Sequence, residues 1–219
     1  MNEKQEKFVW KRDVNYASEA LMVNISKPLV NMLKKSSITP NMITMFNMVV
    51  IFPSIILVCL FDNYILISVL IFLYALFDVI DGNLARNKGL CSNFGKILDN
   101  VSDTLFYTVG YFFIGMSIKL NLWAILGLIL IQQIYGIVAT FYIVPQMKDK
   151  KNFKHTKLKQ WFRDKGIIFG MDAVLQCIIT VILLLCKLRR YIFLLCFILW
   201  LCDLVYRLYE LIWYNRNET

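Results

Sequence analysis

The chain has 219 residues, 58% of them hydrophobic and 18% charged, with a mean hydropathy of +0.58. A soluble domain holds about 45–50% apolar and about 25% charged residues, so this composition excludes most soluble folds, and it is too hydrophobic for disorder. Lys and Arg outnumber Asp and Glu by 24 to 15; in a membrane protein that excess sits in cytoplasmic loops against anionic lipid, and without a zinc-knuckle or RRM pattern no nucleic-acid partner is expected.

At about 20 residues per span, six spans and their loops fill the chain, which predicts an all-α integral membrane protein. Residues 1–39 read as a juxtamembrane segment and 40–219 as the transmembrane domain. The opening MNEKQEKFVWKRD is polar for too long to be a cleaved signal, so the first span carries targeting. Leu21, Met22, Val23, Ile25, Leu29, Val30, Met32 and Leu33 recur at helical spacing among lysines. They predict an amphipathic helix, lying on the membrane surface or packed on the cytosolic face of the bundle. Thr39 and Pro40 mark a helix start, as cap and first-turn residue. Spans are expected at 41–61, from 65 into a polar stretch that ends at Gly89, at 94–118, at 122–144 closed by Pro145, at 167–186 and at 191–214. Five of the six cysteines lie in apolar runs and none forms a CxxC pair, so neither a disulfide frame nor a zinc site is expected.

The first 40 residues and the 146–166 loop carry most of the basic charge, and six spans place both with the two termini on one side. That side is expected to be cytoplasmic. The short loops at 62–64 and 119–121 then face outward, and the Lys187, Arg189 and Arg190 cluster reaches external headgroups.

The polar stretch between the second and third spans carries the chemistry. Asp78 and Asp81 stand three apart on one helix, and Asp99 and Asp103 four apart on the next. Each pair shares a helix face, and an antiparallel hairpin lets the faces converge. Clustered carboxylates repel in a low-dielectric site, and ionisable groups at membrane depth mark function. Hard oxygen ligands select Mg²⁺, Mn²⁺ or Ca²⁺, and four acids suffice for two ions, with substrate phosphates completing the shells. Gly82 and Gly95 allow close approach beside the acids, and Arg86 offers a donor fork for phosphate. Together they describe a diphosphate site at the cytoplasmic end of the bundle.

The spacing D-x2-D-G-x2-A-R-x8-G-x3-D-x3-D, from Asp78 through Ala85 to Asp103, resembles the signature of the CDP-alcohol phosphotransferases at all eight fixed positions. The six-span layout and the Thr39–Thr44 entry are also similar to that family. The resemblance implies that Asp78, Asp81 and Asp99 hold two ions (Mg²⁺ or Mn²⁺), and that Asp103 is the general base and also touches the second ion. It implies CDP contacts from Gly82, Arg86 and Ser92, with Ala85 and Gly95 in the same motif and Asn41 and Thr44 bordering the nucleotide. It further implies a homodimer. The expected reaction passes a phosphatidyl group from CDP-diacylglycerol or a related CDP-lipid to a small polar alcohol, with release of CMP. The reversed branch, from a soluble CDP-alcohol to a lipid alcohol, shares the motif. A divalent-cation transporter and an inactive metal-stabilised scaffold are the rivals of other classes; acids gathered at one face beside an Arg and two glycines favour a substrate site.

Several other polar residues have two readings. His155 reads as a solvated loop residue. The 148–159 lysines face lipid, or Lys157, Lys159 or Arg163 reach over the site; Lys96 and Lys165 are also available to an anionic acceptor. Gln132, Gln133 and Tyr135 read as interhelical hydrogen-bonding residues, and Asp203, Arg207 and Glu210 as partners at a span end. Asp172 reads equally as a helix cap or as a ligand for acceptor hydroxyls or an amine.

Overall fold

The computed structural model describes residues 15–148, Trp161, Asp164, 167–168 and 170–217. These residues are helical apart from loops and a two-residue parallel bridge, β1 (Asn15–Tyr16) against β2 (Ile167–Ile168). The helices are α1 (Ala17–Lys34), α2 (Pro40–Cys59), α3 (Tyr64–Lys88), α4 (93–117), α5 (Leu122–Gln146), α6 (Ala173–Leu185) and α7 (Tyr191–Asn217). Lys157, Lys159, Arg163, Lys165 and His155 lie outside the described residues.

Local chemistry sets the ends. Thr39 caps α2 by accepting from the Met42 amide, with Pro40 in the first turn, as expected. Three short turns join α2 to α3, α4 to α5 and α6 to α7. Each turns on a non-glycine residue in the left-handed region: Asp62 (φ 53°), Lys119 (φ 58°) and Lys187 (φ 61°). At the opposite end α3 stops at Gly89, φ 67°, where the Leu90 amide returns to the Ala85 carbonyl at 2.8 Å. Glycine takes that conformation without the Cβ penalty that other residues meet there. Ser92 then opens α4 by accepting from the Gly95 amide at 3.0 Å. The result is the antiparallel α3–α4 hairpin.

Prolines shape the long helices. A π turn at Asn47–Ile51 precedes Pro53, and another at Ala139–Ile143 precedes Pro145. Proline withdraws a donor and crowds the previous turn, and the wider π turn accommodates both. Pro145 therefore does not close its helix, as the sequence suggested; helical structure continues through Val144–Lys148. The fifth apolar run is also shorter than its hydropathy implied. Residues 167–168 bridge to β1, and α6 begins only after Asp172, which caps it.

Among the described residues four helices, α2, α3, α5 and α7, are long and apolar enough to cross a membrane. The first half of α4 is polar, and α6 has 13 residues, about 20 Å against roughly 30 Å of hydrocarbon. Outward faces are apolar, with Trp123 and Phe141 each 78% exposed. In a bilayer such faces meet lipid. Helix α1 packs along α3 and α6 through Met22, Val23, Ser26 and Val30, while Leu21, Ile25, Leu29 and Met32 stay exposed. The outward side of α1 is mixed, with Asn24, Lys27 and Asn31 exposed among those apolar residues.

Candidate active site

The site lies at the end of the bundle where α3 stops and α2, α4 and α6 begin. Lys88 locks that end by donating from Nζ to the carbonyls of Ser36 and Ile38, both at 2.7 Å. One turn below the acids the α3–α4 pair is fixed by aromatic packing. Tyr74 and Phe106 stack with ring centroids 3.8 Å apart, and the hydroxyls of Tyr74 and Ser102 lie 3.0 Å apart. Both rings are fully buried, so the register that sets Asp78 opposite Asp99 and Asp103 is held by a close-packed layer.

That register brings together carboxylate oxygens of Asp78, Asp99 and Asp103, all within 4.8 Å of one another. Like charges at such spacing repel strongly when half-buried, and a bound divalent cation removes the cost. An all-oxygen donor set suits a hard ion, so these residues fit Mg²⁺ or Mn²⁺. Asp81 stands outside the triad. It is 5% exposed, and it accepts the Thr44 hydroxyl at 2.6 Å. The family resemblance implied that Thr44 borders a nucleotide; its hold on Asp81 comes from the fold.

Two cavities meet here. The first, about 150 Å³, is lined by Asn41, Thr44, Ala85, Ser92, Gly95 and Lys96. The second, about 210 Å³, is lined by Asp78 and Asp103 together with Tyr16, Glu19 and Asp172. Asp81, Gly82, Arg86 and Asp99 border both. Every site residue expected from the sequence therefore falls on one cavity or the other. Arg86 donates to Asn83 Oδ1 at 2.8 Å, and its guanidinium covers Gly82 at 3.5 Å from where a Cβ would stand. At Gly95 a Cβ would come within 2.9 Å of Asn41 Oδ1 and 3.2 Å of Ser92 Oγ, so a side chain there would displace the Asn41 amide and crowd the cap of its own helix.

Tyr16 and Glu19 were missed. They lie in a segment expected only to touch the membrane or the bundle surface, and nothing in their spacing marks them. Asp172 acts as a helix cap, one of its two readings: it accepts from the Leu175 amide, it also accepts from Ser18 Oγ at 2.7 Å, and it lines the second cavity. Of the polar residues of the spans, Gln132, Tyr135, Asp203 and Arg207 pair as expected. Gln132 donates to Gln176 at 2.6 Å, and Tyr135 donates to Asp203, which pairs with Arg207. Gln133 is exposed.

Comparison with known proteins is consistent with this geometry. The family model described as CDP-alcohol phosphatidyltransferase matches residues 37–206. An uncharacterized protein of Aquifex aeolicus (strain VF5) is 40% identical over 77 residues, an alignment spanning 35% of this chain and 39% of that protein.

Proposed function

Because the chain belongs to the CDP-alcohol phosphatidyltransferase family, we propose that it transfers a phosphatidyl group from CDP-diacylglycerol or a related CDP-lipid to a small polar alcohol, releasing CMP. The observation that carries this reading is the division of the motif between two adjoining cavities. The nucleotide-side residues Asn41, Ala85, Ser92 and Gly95 line one, and Asp103 lines the other beside unassigned polar residues.

On this reading the first cavity takes the cytidine diphosphate. Arg86, on the shared wall, binds diphosphate oxygens with its planar donor fork and meets the charge that develops on them. Gly82 and Gly95 keep the helix backbones open to the ligand. Asp78, Asp81, Asp99 and Asp103 hold two divalent ions (Mg²⁺ or Mn²⁺), which when bound supply Lewis-acid neutralisation of the diphosphate. Thr44 orients Asp81 through its hydrogen bond. The acceptor alcohol enters the second cavity, where Asp103 takes its hydroxyl proton as general base. The alcohol oxygen bonds to the lipid-side phosphorus, and the bond to the CMP oxygen breaks. Residues 1–39 act as a juxtamembrane segment, α4 and the short α6, the latter across locally thinned bilayer, complete six crossings, both termini and the site face the cytoplasm, and the enzyme is a homodimer.

The test is CMP release from CDP-diacylglycerol by the purified protein with Mg²⁺ or Mn²⁺, against glycerol 3-phosphate, myo-inositol and serine. Release with one acceptor is expected, falling by at least about a hundredfold in Asp103→Asn. Release only from soluble CDP-alcohols with diacylglycerol would reverse the direction of transfer. Metal flux without CMP release would replace transfer by transport.

A further inference from the structure

The second cavity has a wall built by residues outside the motif, and one of them is held with unusual care. Tyr16 borders it together with Asp103. Arg207 of α7 donates from Nη2 to the Tyr16 hydroxyl, and from Nε to Asp203 Oδ2 at 2.9 Å. The same carboxylate oxygen accepts the Tyr135 hydroxyl at 2.6 Å. Backbone pairing sets Tyr16 opposite Ile168. Gly170 closes the arrangement: a Cβ there would meet Asp203 Oδ1 at 2.9 Å and Tyr16 Cε1 at 3.0 Å. Elements from both ends of the chain thus fix one phenol at the edge of the cavity.

A guanidinium carries only donors, so the Tyr16 oxygen accepts from Arg207 and keeps its own proton to give. A cation on that oxygen strengthens the O–H as a donor. The surrounding wall presents mostly acceptors: Glu19, Asp78, Asp99, Asp103 and Asp172. An alcohol in this cavity can give its reacting proton to a carboxylate, but its other oxygens need donors.

We propose that Tyr16 seats the acceptor by donating its hydroxyl to a second oxygen of that molecule. Arg207, Asp203 and Tyr135 are positioning residues for it. The assignment rests on the reaction proposed above. It makes the acceptor a molecule with at least one oxygen besides the attacking hydroxyl, recognised in part by the N-terminal segment.

The test is steady-state kinetics of the full-length protein with CDP-diacylglycerol and whichever of glycerol 3-phosphate, myo-inositol or serine supports CMP release. Tyr16→Phe is expected to raise the acceptor KM about three- to tenfold, the worth of one hydrogen bond, and to leave the KM for CDP-diacylglycerol within about twofold. Arg207→Gln should act in the same direction and add nothing in the Tyr16→Phe background. Gly170→Ala keeps the hydroxyl but displaces the ring or Asp203, and should also raise the acceptor KM; it decides the matter if Tyr16→Phe fails to fold. An active wild type whose acceptor KM is unmoved by these changes, or moved equally with the donor KM, overturns this assignment alone. A wild type inactive with every acceptor overturns the reaction and this assignment with it.

Discussion

At the scale of single residues, the site depends on short polar contacts that hold carboxylates against their mutual repulsion. Thr44 shows the arrangement most directly. Its hydroxyl lies 2.6 Å from Asp81 in a pocket where both residues are buried. A hydrogen bond to a charged group contributes about 1.5–3 kcal/mol, and a buried carboxylate left without it bears a desolvation cost. Thr44→Val keeps the shape and removes the donor. It is expected to lower kcat/KM by roughly tenfold or more and to raise the Mg²⁺ concentration needed for half-maximal activity. A titration of activity against Mg²⁺ checks both, and Thr44→Ser should recover most of the loss.

At the scale of elements, the hairpin that carries the motif was legible because its punctuation is local. Gly89 and the i, i+3 and i, i+4 spacings of the acids define a stop and a shared face without reference to the rest of the chain. The shifted boundaries had non-local or compensated causes. Pro145 reads as a stop, yet the π turn before it lets the helix run on. The 167–172 stretch reads as part of a span, yet backbone pairing with residues 15–16 takes its first two residues. Hydropathy alone cannot separate a long span from a short helix with an apolar lead-in, so it overran α6. The proposed six crossings make an element-level prediction. With α4 and α6 both crossing, single cysteines placed at Lys119 and Lys187 in a cysteine-free background label from outside intact cells, and one placed at Ser36 does not. Labelling of Ser36→Cys from outside, or protection of the other two, would leave the six-span arrangement untenable.

At the scale of the whole molecule, described segments far apart in sequence meet beside the site. Tyr16 joins Arg207, α1 lies along α3 and α6, and Lys88 ties the end of α3 to the linker before α2. The motif residues could be assigned to the site from sequence because they lie within one hairpin and their spacing is matched position by position. The wall of the second cavity could not, because it is assembled from residues 16, 19 and 172, which no local pattern connects. On the proposed reaction, the nucleotide side was readable from the motif, and the wall proposed to seat the acceptor needed the fold.

The shared wall between the two cavities has a stereochemical consequence. On the proposed reaction, acceptor and nucleotide would approach the phosphorus from different sides of Asp81, Gly82, Arg86 and Asp99, which border both spaces. Entry from one side with departure on the other is a single in-line displacement. A donor made chiral at its lipid-side phosphorus by sulfur and oxygen isotopes should therefore give product of inverted configuration. Retention would require two successive displacements, with the lipid phosphate held on the protein between them.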